Sequence, residues 1–192
     1  ILTAPTAQGG LGWSADDYGF FSGSYGLINV FLLMLFFGGI ILDKLGIRFT
    51  GVLSTALMVV GVLIKYVAVS TDFHGAVFSL GSFHLPMSAA VACLGFAIFG
   101  VGCEITGITI SKTITKWFTG HELALAMGVQ VALARLGTAA ALSANLPMAK
   151  ATSLGIQLPV IVGAALLIAG FLGFLVYNVM DRRLDASIAA VD

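Results

Sequence analysis

An acid and a base within apolar sequence are the residues best suited to chemistry in this chain. Glu104 lies eight residues before Lys112, and Arg135 lies thirteen residues after Glu122. On helices rising about 1.5 Å per residue, these spacings place Glu104 about 12 Å and Arg135 about 20 Å from the charged helix ends. The two helices would be antiparallel, so that a direct ion pair is geometrically feasible. Charges at such depth normally face a partner or a water-filled cavity.

The chemistry of this pair favours a binding site for a small solute. Arg135 can bind a carboxylate through two parallel hydrogen bonds, and Glu104 can accept a proton or an ammonium group. A zwitterion would satisfy both residues. The structural alternative is a buried salt bridge that only sets the register of two helices, although such pairs contribute little to stability compared with apolar replacements.

Other polar side chains extend the candidate site. One helical face carries Tyr18, Ser22, Tyr25 and Asn29, at steps of four, three and four residues. We predict that Tyr25 and Asn29 line the solute-binding site, although an asparagine in a membrane helix also commonly bonds a neighbouring helix. Gln130 is a further candidate. It lies about 140° around its helix from Arg135 and could instead face an adjacent helix.

The elements that must position these residues are membrane helices. Hydrophobic residues make up 59% of the 192 positions and charged residues 9%, against about 25% charged in a soluble domain. A span needs about 20 mostly apolar residues, and five stretches qualify, at 17–42, 50–70, 86–111, 123–147 and 156–180. The sequence therefore predicts an all-α, polytopic helical bundle in a lipid bilayer. We expect the apolar spans 50–70 and 156–180 to face lipid, and Ser70–Phe83 to form a loop.

Lysine and arginine predict the orientation, because cytoplasmic loops collect positive charge. One side would carry Lys44, Arg48, Lys112, Lys116, Arg182 and Arg183, whereas the other carries Lys150, with Lys65 near the outer end of its helix. The first residues are thus expected outside and the tail in the cytoplasm. A formal net charge of zero offers no basic surface for nucleic acid.

Metal and hydrolytic chemistry find little support in the sequence. His74 and His84 are ten residues apart without a third ligand nearby, so no metal site and no cofactor are predicted. An intramembrane hydrolase would need a nucleophile with a base or a metal cluster. No histidine falls within a predicted span, and no paired aspartates occur, so we do not expect an enzyme.

A loop motif lies between the first two predicted spans, in the run GGIILDKLGIR. Its elements are Gly39, Asp43, Lys44, Gly46 and Arg48, in the pattern G-x-x-x-D-K-x-G-x-R. Gly46 would allow a turn too tight for a side chain. The run resembles the loop signature of the major facilitator superfamily, located between its second and third helices. The resemblance implies a gating loop whose Asp43 meets helix ends and basic groups of the opposite half when the cytoplasmic side closes.

A longer run, GVGCEITGITISKTITKWFTGHELALAMGVQVALARLG from Gly100 to Gly137, sharpens this resemblance. It is similar to the fourth and fifth helices of the lysosomal dipeptide transporter group of that superfamily and its bacterial relatives. Shared elements are Gly102, Glu104, Trp117, Phe118, Gly120, Glu122, Leu123, Gly128, Gln130, Ala134, Arg135 and Gly137. The resemblance implies that Glu104 and Arg135 contact the dipeptide. Cys103 departs from the glycine typical of that group, which leaves the substrate less defined than the superfamily.

The resemblance implies a secondary transporter that moves a small zwitterionic or anionic solute, dipeptide-like, by alternating access. Residues 1–185 would be a partial N-terminal transmembrane domain of helices two to six, and 186–192 a cytoplasmic tail or the start of an interdomain linker. The partners would be the missing first helix and the C-terminal half. The alternative function is a non-transporting membrane scaffold subunit with a structural ion pair. We expect the bacterial inner (cytoplasmic) membrane, with the lysosomal membrane as the alternative.

Overall fold

The computed structural model describes residues 2–3, 11–31, 34–73, 76–80, 83–118 and 120–189. They form five helices, α1 (Ala15–Phe31), α2 (Met34–Ser70), α3 (Met87–Trp117), α4 (His121–Ala151) and α5 (Gln157–Ala189). A hairpin of β1 (Val77–Leu80) and β2 (Phe83–Pro86) joins α2 to α3. The predicted all-α helical bundle is confirmed.

Four helices, α2 to α5, are long and apolar enough to cross a membrane. The first predicted span, 17–42, falls on α1 and the beginning of α2, and residues 32 and 33 between them lie outside the described part. The loop expected over Ser70–Phe83 is wrong in part, because it contains β1. This strand pairs with β2, for example Phe78 with Leu85, and β-branched and aromatic residues such as Val77 and Phe78 favour such pairing.

Helix α2 reverses direction in its middle. Gly46 has φ 79° and ψ 171°, a backbone conformation with positive φ that glycine adopts without steric cost. Before this turn, a Cβ atom added at Gly38 would lie 2.8 Å from Ile105 of α3, and Asp43 lies beside Lys112 near the end of α3. After it, Lys65 lies over Phe96 near the start of α3. The limbs 34–45 and 47–70 therefore run in opposite directions along α3, as the predicted loop at Gly46 requires.

The second limb of α2 packs against α3 rather than facing only lipid, which corrects the expectation for the span 50–70. Thr50 and Ser54 are fully buried, and Thr106 donates a hydrogen bond to the Ser54 hydroxyl at 2.9 Å. Small and hydroxyl-bearing residues allow close helix contact and interhelical hydrogen bonds in membranes. The hydroxyl groups of Thr50 and Ser54 therefore indicate a packing interface. The average polarity of the whole span does not reveal it, because these residues are few.

We name the two ends of the bundle by their position. The inner end is where the turn at Gly46 and the ends of α3 and α5 meet. The outer end contains the start of α1, the hairpin and the connection from α4 to α5. At the outer end, Trp13, Ala68 and Ala89 form a buried cluster. Inner and outer ends correspond to the predicted cytoplasmic and external sides.

Helix α4 differs from the others in its packing. Every residue from 131 to 143 is exposed, and within α4 Ala149 is the buried residue near its outer end. Its central face, which carries Arg135, is therefore open in this chain.

Candidate solute-binding site

Tyr25, Asn29 and Glu104 form a polar group between α1 and α3. The Tyr25 hydroxyl donates a hydrogen bond to Glu104 Oε1 at 3.0 Å. The Asn29 side-chain amide donates to the Tyr25 carbonyl oxygen at 3.1 Å. The spacing of Tyr25 and Asn29 places both on one helix face, and that face meets α3.

Close contact of the two backbones makes this group possible. A Cβ atom added at Gly100 of α3 would lie 2.5 Å from the Tyr25 carbonyl oxygen and 3.2 Å from Asn29 Nδ2. Any larger residue would therefore push α1 away from α3. Gly100 thus brings the tyrosine hydroxyl within hydrogen-bonding distance of a carboxylate one helical turn further along α3.

The Glu104 carboxylate has a hydrogen-bond donor but no basic partner in the part of the chain that the structure describes. Among the described residues, no lysine, arginine or histidine lies within 4.0 Å of its oxygens. A charge-assisted hydrogen bond from a tyrosine orients a carboxylate but does not neutralise it. The site can therefore accept an ammonium group or a proton.

A second unsatisfied acceptor lies next to it. The side-chain oxygen of Asn29 is buried and has no hydrogen-bond partner within the described ranges. Leaving such a group unpaired costs about 1–3 kcal/mol. A ligand N–H group would remove this cost, as would a water molecule.

Arg135 and Gln130 lie on α4, apart from this group. Arg135 is exposed and Gln130 half-buried, and neither bonds Glu104. The direct ion pair between Glu104 and Arg135 is therefore wrong for this structure. The distance of each residue from its helix end predicts that the two residues lie at a similar height in the membrane. It does not define the gap between the helices or the direction of each side chain.

The residues of the loop motif are distributed around the turn at the inner end. Asp43 accepts a hydrogen bond from Lys112 Nζ at 2.6 Å. Arg48 contacts α5, where its Nε lies 2.7 Å from Asp181 Oδ2. Lys44 is exposed, and Gly39 is half-buried. The motif thus links α2 to both α3 and α5.

Sequence reasoning missed a second polar group, the inner charge cluster. It consists of Arg48, Lys116, Tyr177, Asp181 and Asp185. Lys116 Nζ lies 2.8 Å from a carboxylate oxygen of each aspartate. Arg48 also contacts both aspartates, and the Tyr177 hydroxyl donates to Asp181 at 3.1 Å.

The Asp181 side chain is the centre of this cluster. Asp181 is 1% exposed. Its two carboxylate oxygens accept hydrogen bonds from the side chains of Arg48, Lys116 and Tyr177. The signal was present in the sequence, because Asp181 and Asp185 are four residues apart and share one face of α5. The basic residues of this region were read only for orientation, so their acidic partners were overlooked.

Comparison with known proteins adds an independent observation. No protein-family model matches the chain, and no solved structure matches it. The lysosomal dipeptide transporter MFSD1 of Danio rerio and that of Homo sapiens are each 26% identical over 165 residues, which is 80% of this chain and 32% of the relative. The Mus musculus protein of the same name is 28% identical over 108 residues, 56% of this chain and 20% of the relative.

These relatives are named as transporters rather than enzymes, and the match covers only 32% of the length of the first ones. The similarity agrees with the resemblance to the dipeptide transporter group seen in the sequence. Together with four helices suited to crossing a membrane, it supports a multi-pass membrane protein that is similar to proteins named as transporters.

Proposed function

We propose that this chain is part of a secondary transporter of the major facilitator type, which moves a small zwitterionic or anionic solute by alternating access. The solute that we propose is a dipeptide, because the similar proteins are named as dipeptide transporters. The observation that carries the proposal is the Glu104 carboxylate, which lies within an apolar helix, hydrogen-bonded by Tyr25 and without a described basic partner. A charge at the centre of a bilayer costs at least about 2.5–3.5 kcal/mol, and a ligand offsets that cost during transport.

Each residue has a role in this proposal. Glu104 binds the ammonium group of the solute, and the unpaired oxygen of Asn29 accepts a hydrogen bond from its peptide or amino N–H. Tyr25 orients the carboxylate. Arg135 binds the solute carboxylate from α4, and Gln130 lines the same route. Because Glu104 and Arg135 do not neutralise each other, both charges remain for the solute.

The inner end supplies the gate. The loop of Gly39, Asp43, Lys44, Gly46 and Arg48 closes against the other half of the transporter, as rocking of two halves about a midplane site requires. The membrane is the bacterial inner membrane, with the lysosomal membrane as the alternative. Glu104 is the acid placed to carry a proton, should uptake depend on a pH gradient.

The test is counterflow of labelled alanylalanine in liposomes that contain the complete transporter. We expect Glu104→Gln to lower uptake about a hundredfold, because the loss of two charge-assisted hydrogen bonds amounts to about 3 kcal/mol. Arg135→Ala should abolish it. Glu122→Gln is the matched control, since Glu122 is exposed in the first turn of α4, and it should retain uptake.

Two results would contradict the proposal. If Glu104→Gln and Arg135→Ala insert, express and transport like the unaltered protein, neither residue binds the solute. If the unaltered protein carries no dipeptide, amino acid or carboxylate but still assembles with a partner protein, the chain is a scaffold subunit instead.

A further inference from the structure

A cavity of about 520 Å³ opens at the outer end of the bundle, away from the polar group around Glu104. All five helices contribute side chains to its wall. Most are apolar, and the polar ones include Tyr18 of α1, Lys65 of α2 and Asn145 of α4. A pocket with few polar groups in an apolar wall is typical of a small-molecule site.

The ammonium group of Lys65 is held by aromatic rings. Its Nζ lies 4.6 Å from the ring centre of Phe96, 5.2 Å from that of Phe99 and 6.0 Å from that of Phe21. The negative faces of aromatic rings attract a cation at such distances. The rings therefore hold the lysine side chain in position, but, being uncharged, they do not neutralise its positive charge.

Lys65 has no acidic partner within the described part of the chain. No aspartate or glutamate oxygen there lies within 4.0 Å of its Nζ. The bases of the inner charge cluster, by contrast, each contact two carboxylates. A half-buried cation without an anion, at the wall of a cavity, is suited to binding an anionic group from outside the protein.

The aromatic rings also connect Lys65 to the polar group around Glu104. The Tyr25 ring lies 5.3 Å from that of Phe96 and 6.5 Å from that of Phe99, so both phenylalanines contact Lys65 and Tyr25. Phe96 precedes Glu104 by eight residues, which is about 12 Å along α3. One aromatic wall therefore has a cation at its outer end and an acid at its inner end.

We propose that Lys65 forms an outer subsite, which binds the carboxylate of the solute before the solute moves along the aromatic wall to Glu104. This inference rests on the proposed transport function. The ligand is a zwitterion with a free carboxylate, held by Lys65 with its ammonium group directed inward. An extended chain spans at most about 3.6 Å per residue, so a dipeptide is shorter than the rise of about 12 Å along α3 from Phe96, which contacts Lys65, to Glu104. The solute therefore binds Lys65 and Glu104 in turn.

Kinetics of the complete transporter test this subsite. We expect Lys65→Met to raise the KM for alanylalanine about tenfold, through loss of one charge-assisted contact, with little change in maximal rate. Lys65→Arg keeps the positive charge, so its KM should stay within about threefold of the value for the unaltered protein. Lys150→Met is the matched control, because Lys150 is an exposed lysine at the outer end of α4. An unchanged KM in Lys65→Met overturns the subsite.

A measurement on the unaltered protein removes the dependence on variants that fold poorly. Alanylalanine should slow the reductive methylation of Lys65, followed by mass spectrometry, while leaving Lys150 unaffected. Alanylalanine amide, which lacks the carboxylate, should give no protection. Equal protection by both peptides, or none by either, contradicts the role of Lys65.

The two proposals fail in different ways. If Glu104→Gln abolishes uptake while Lys65→Met behaves like the unaltered protein, the transport function stands and the outer subsite is wrong. If neither substitution changes uptake, neither residue binds the solute. If the unaltered protein carries no dipeptide, amino acid or carboxylate, the proposed transport function itself is wrong.

Discussion

Two polar groups of this molecule use the same kinds of residue and differ in how completely they are paired. In the inner charge cluster, every charged side chain contacts an opposite charge. Among the described residues, Glu104 has a tyrosine donor and no basic partner, and the neighbouring Asn29 oxygen has no hydrogen-bond partner there. A fully paired group stabilises a fold, whereas an incompletely paired one retains binding capacity.

The difference follows from position as well as from composition. The inner charge cluster joins the turn of α2 to the later parts of α3 and α5, where long basic side chains can approach carboxylates from the aqueous side. Glu104 lies further along α3, where the adjacent helix contributes a tyrosine. The described helices beside it bring no base within contact distance. The same side-chain chemistry therefore acts structurally at one depth and is left free at another.

Removing the central acid of the paired group should have the largest effect on stability. Asp181→Asn leaves Arg48 and Lys116 with a neutral partner at a position that is 1% exposed. Breaking a buried ion pair costs about 3–5 kcal/mol of folding stability. Because both cations are partly solvated, we expect the free energy of unfolding to fall by about 2 kcal/mol. The measurement is the loss of folded protein on heating in detergent. Asp185→Asn is the control, because its side chain is 47% exposed, and it should lower the melting temperature less. Equal effects would contradict the central position of Asp181.

The unpaired group should respond in the opposite way. Asn29→Ala removes the unsatisfied oxygen and replaces asparagine with a better helix former. We expect the free energy of unfolding to stay the same or to rise by up to about 1 kcal/mol, so that the melting temperature does not fall. The KM for alanylalanine should increase about fivefold. Ser22→Ala, on an exposed position of the same helix, should change neither. A destabilised Asn29→Ala protein with normal KM would show that Asn29 is structural.

The smallest effect on stability is expected at Asp43. Its contact with Lys112 joins side chains that are 77% and 41% exposed, and exposed ion pairs contribute about 0–1 kcal/mol. Asp43→Asn should leave the melting temperature nearly unchanged but shift the ratio of inward-open to outward-open protein. Accessibility of an introduced cysteine at the inner end would measure that ratio. Glu122→Gln, which removes an exposed acid outside the loop motif, is the control. An unaltered ratio would exclude Asp43 from the gate.

Much of this architecture was predictable, and the misses have physical causes. Apolar runs long enough to cross a bilayer identified α3, α4 and α5, and the glycine of the loop motif identified the reversal at Gly46. The hairpin of β1 and β2 was missed because each strand is only four residues long and lies close to glycine and polar residues that are typical of a loop. Lys65 was read as a lysine near a helix end, since cation–aromatic contacts with Phe96 and Phe99 require residues far apart in the chain.

The candidate site divides in the same way. The periodicity of α1 by itself determined that Tyr25 and Asn29 share a face, because side chains four residues apart on a helix overlie one another. Apolar neighbours predict that Glu104 and Arg135 lie deep in the membrane. Only the tertiary structure decided that Tyr25, and not Arg135, contacts Glu104. That outcome depends on how closely Gly100 lets α1 approach α3 and on how loosely α4 packs, and neither distance is encoded in the spacing of residues along one helix.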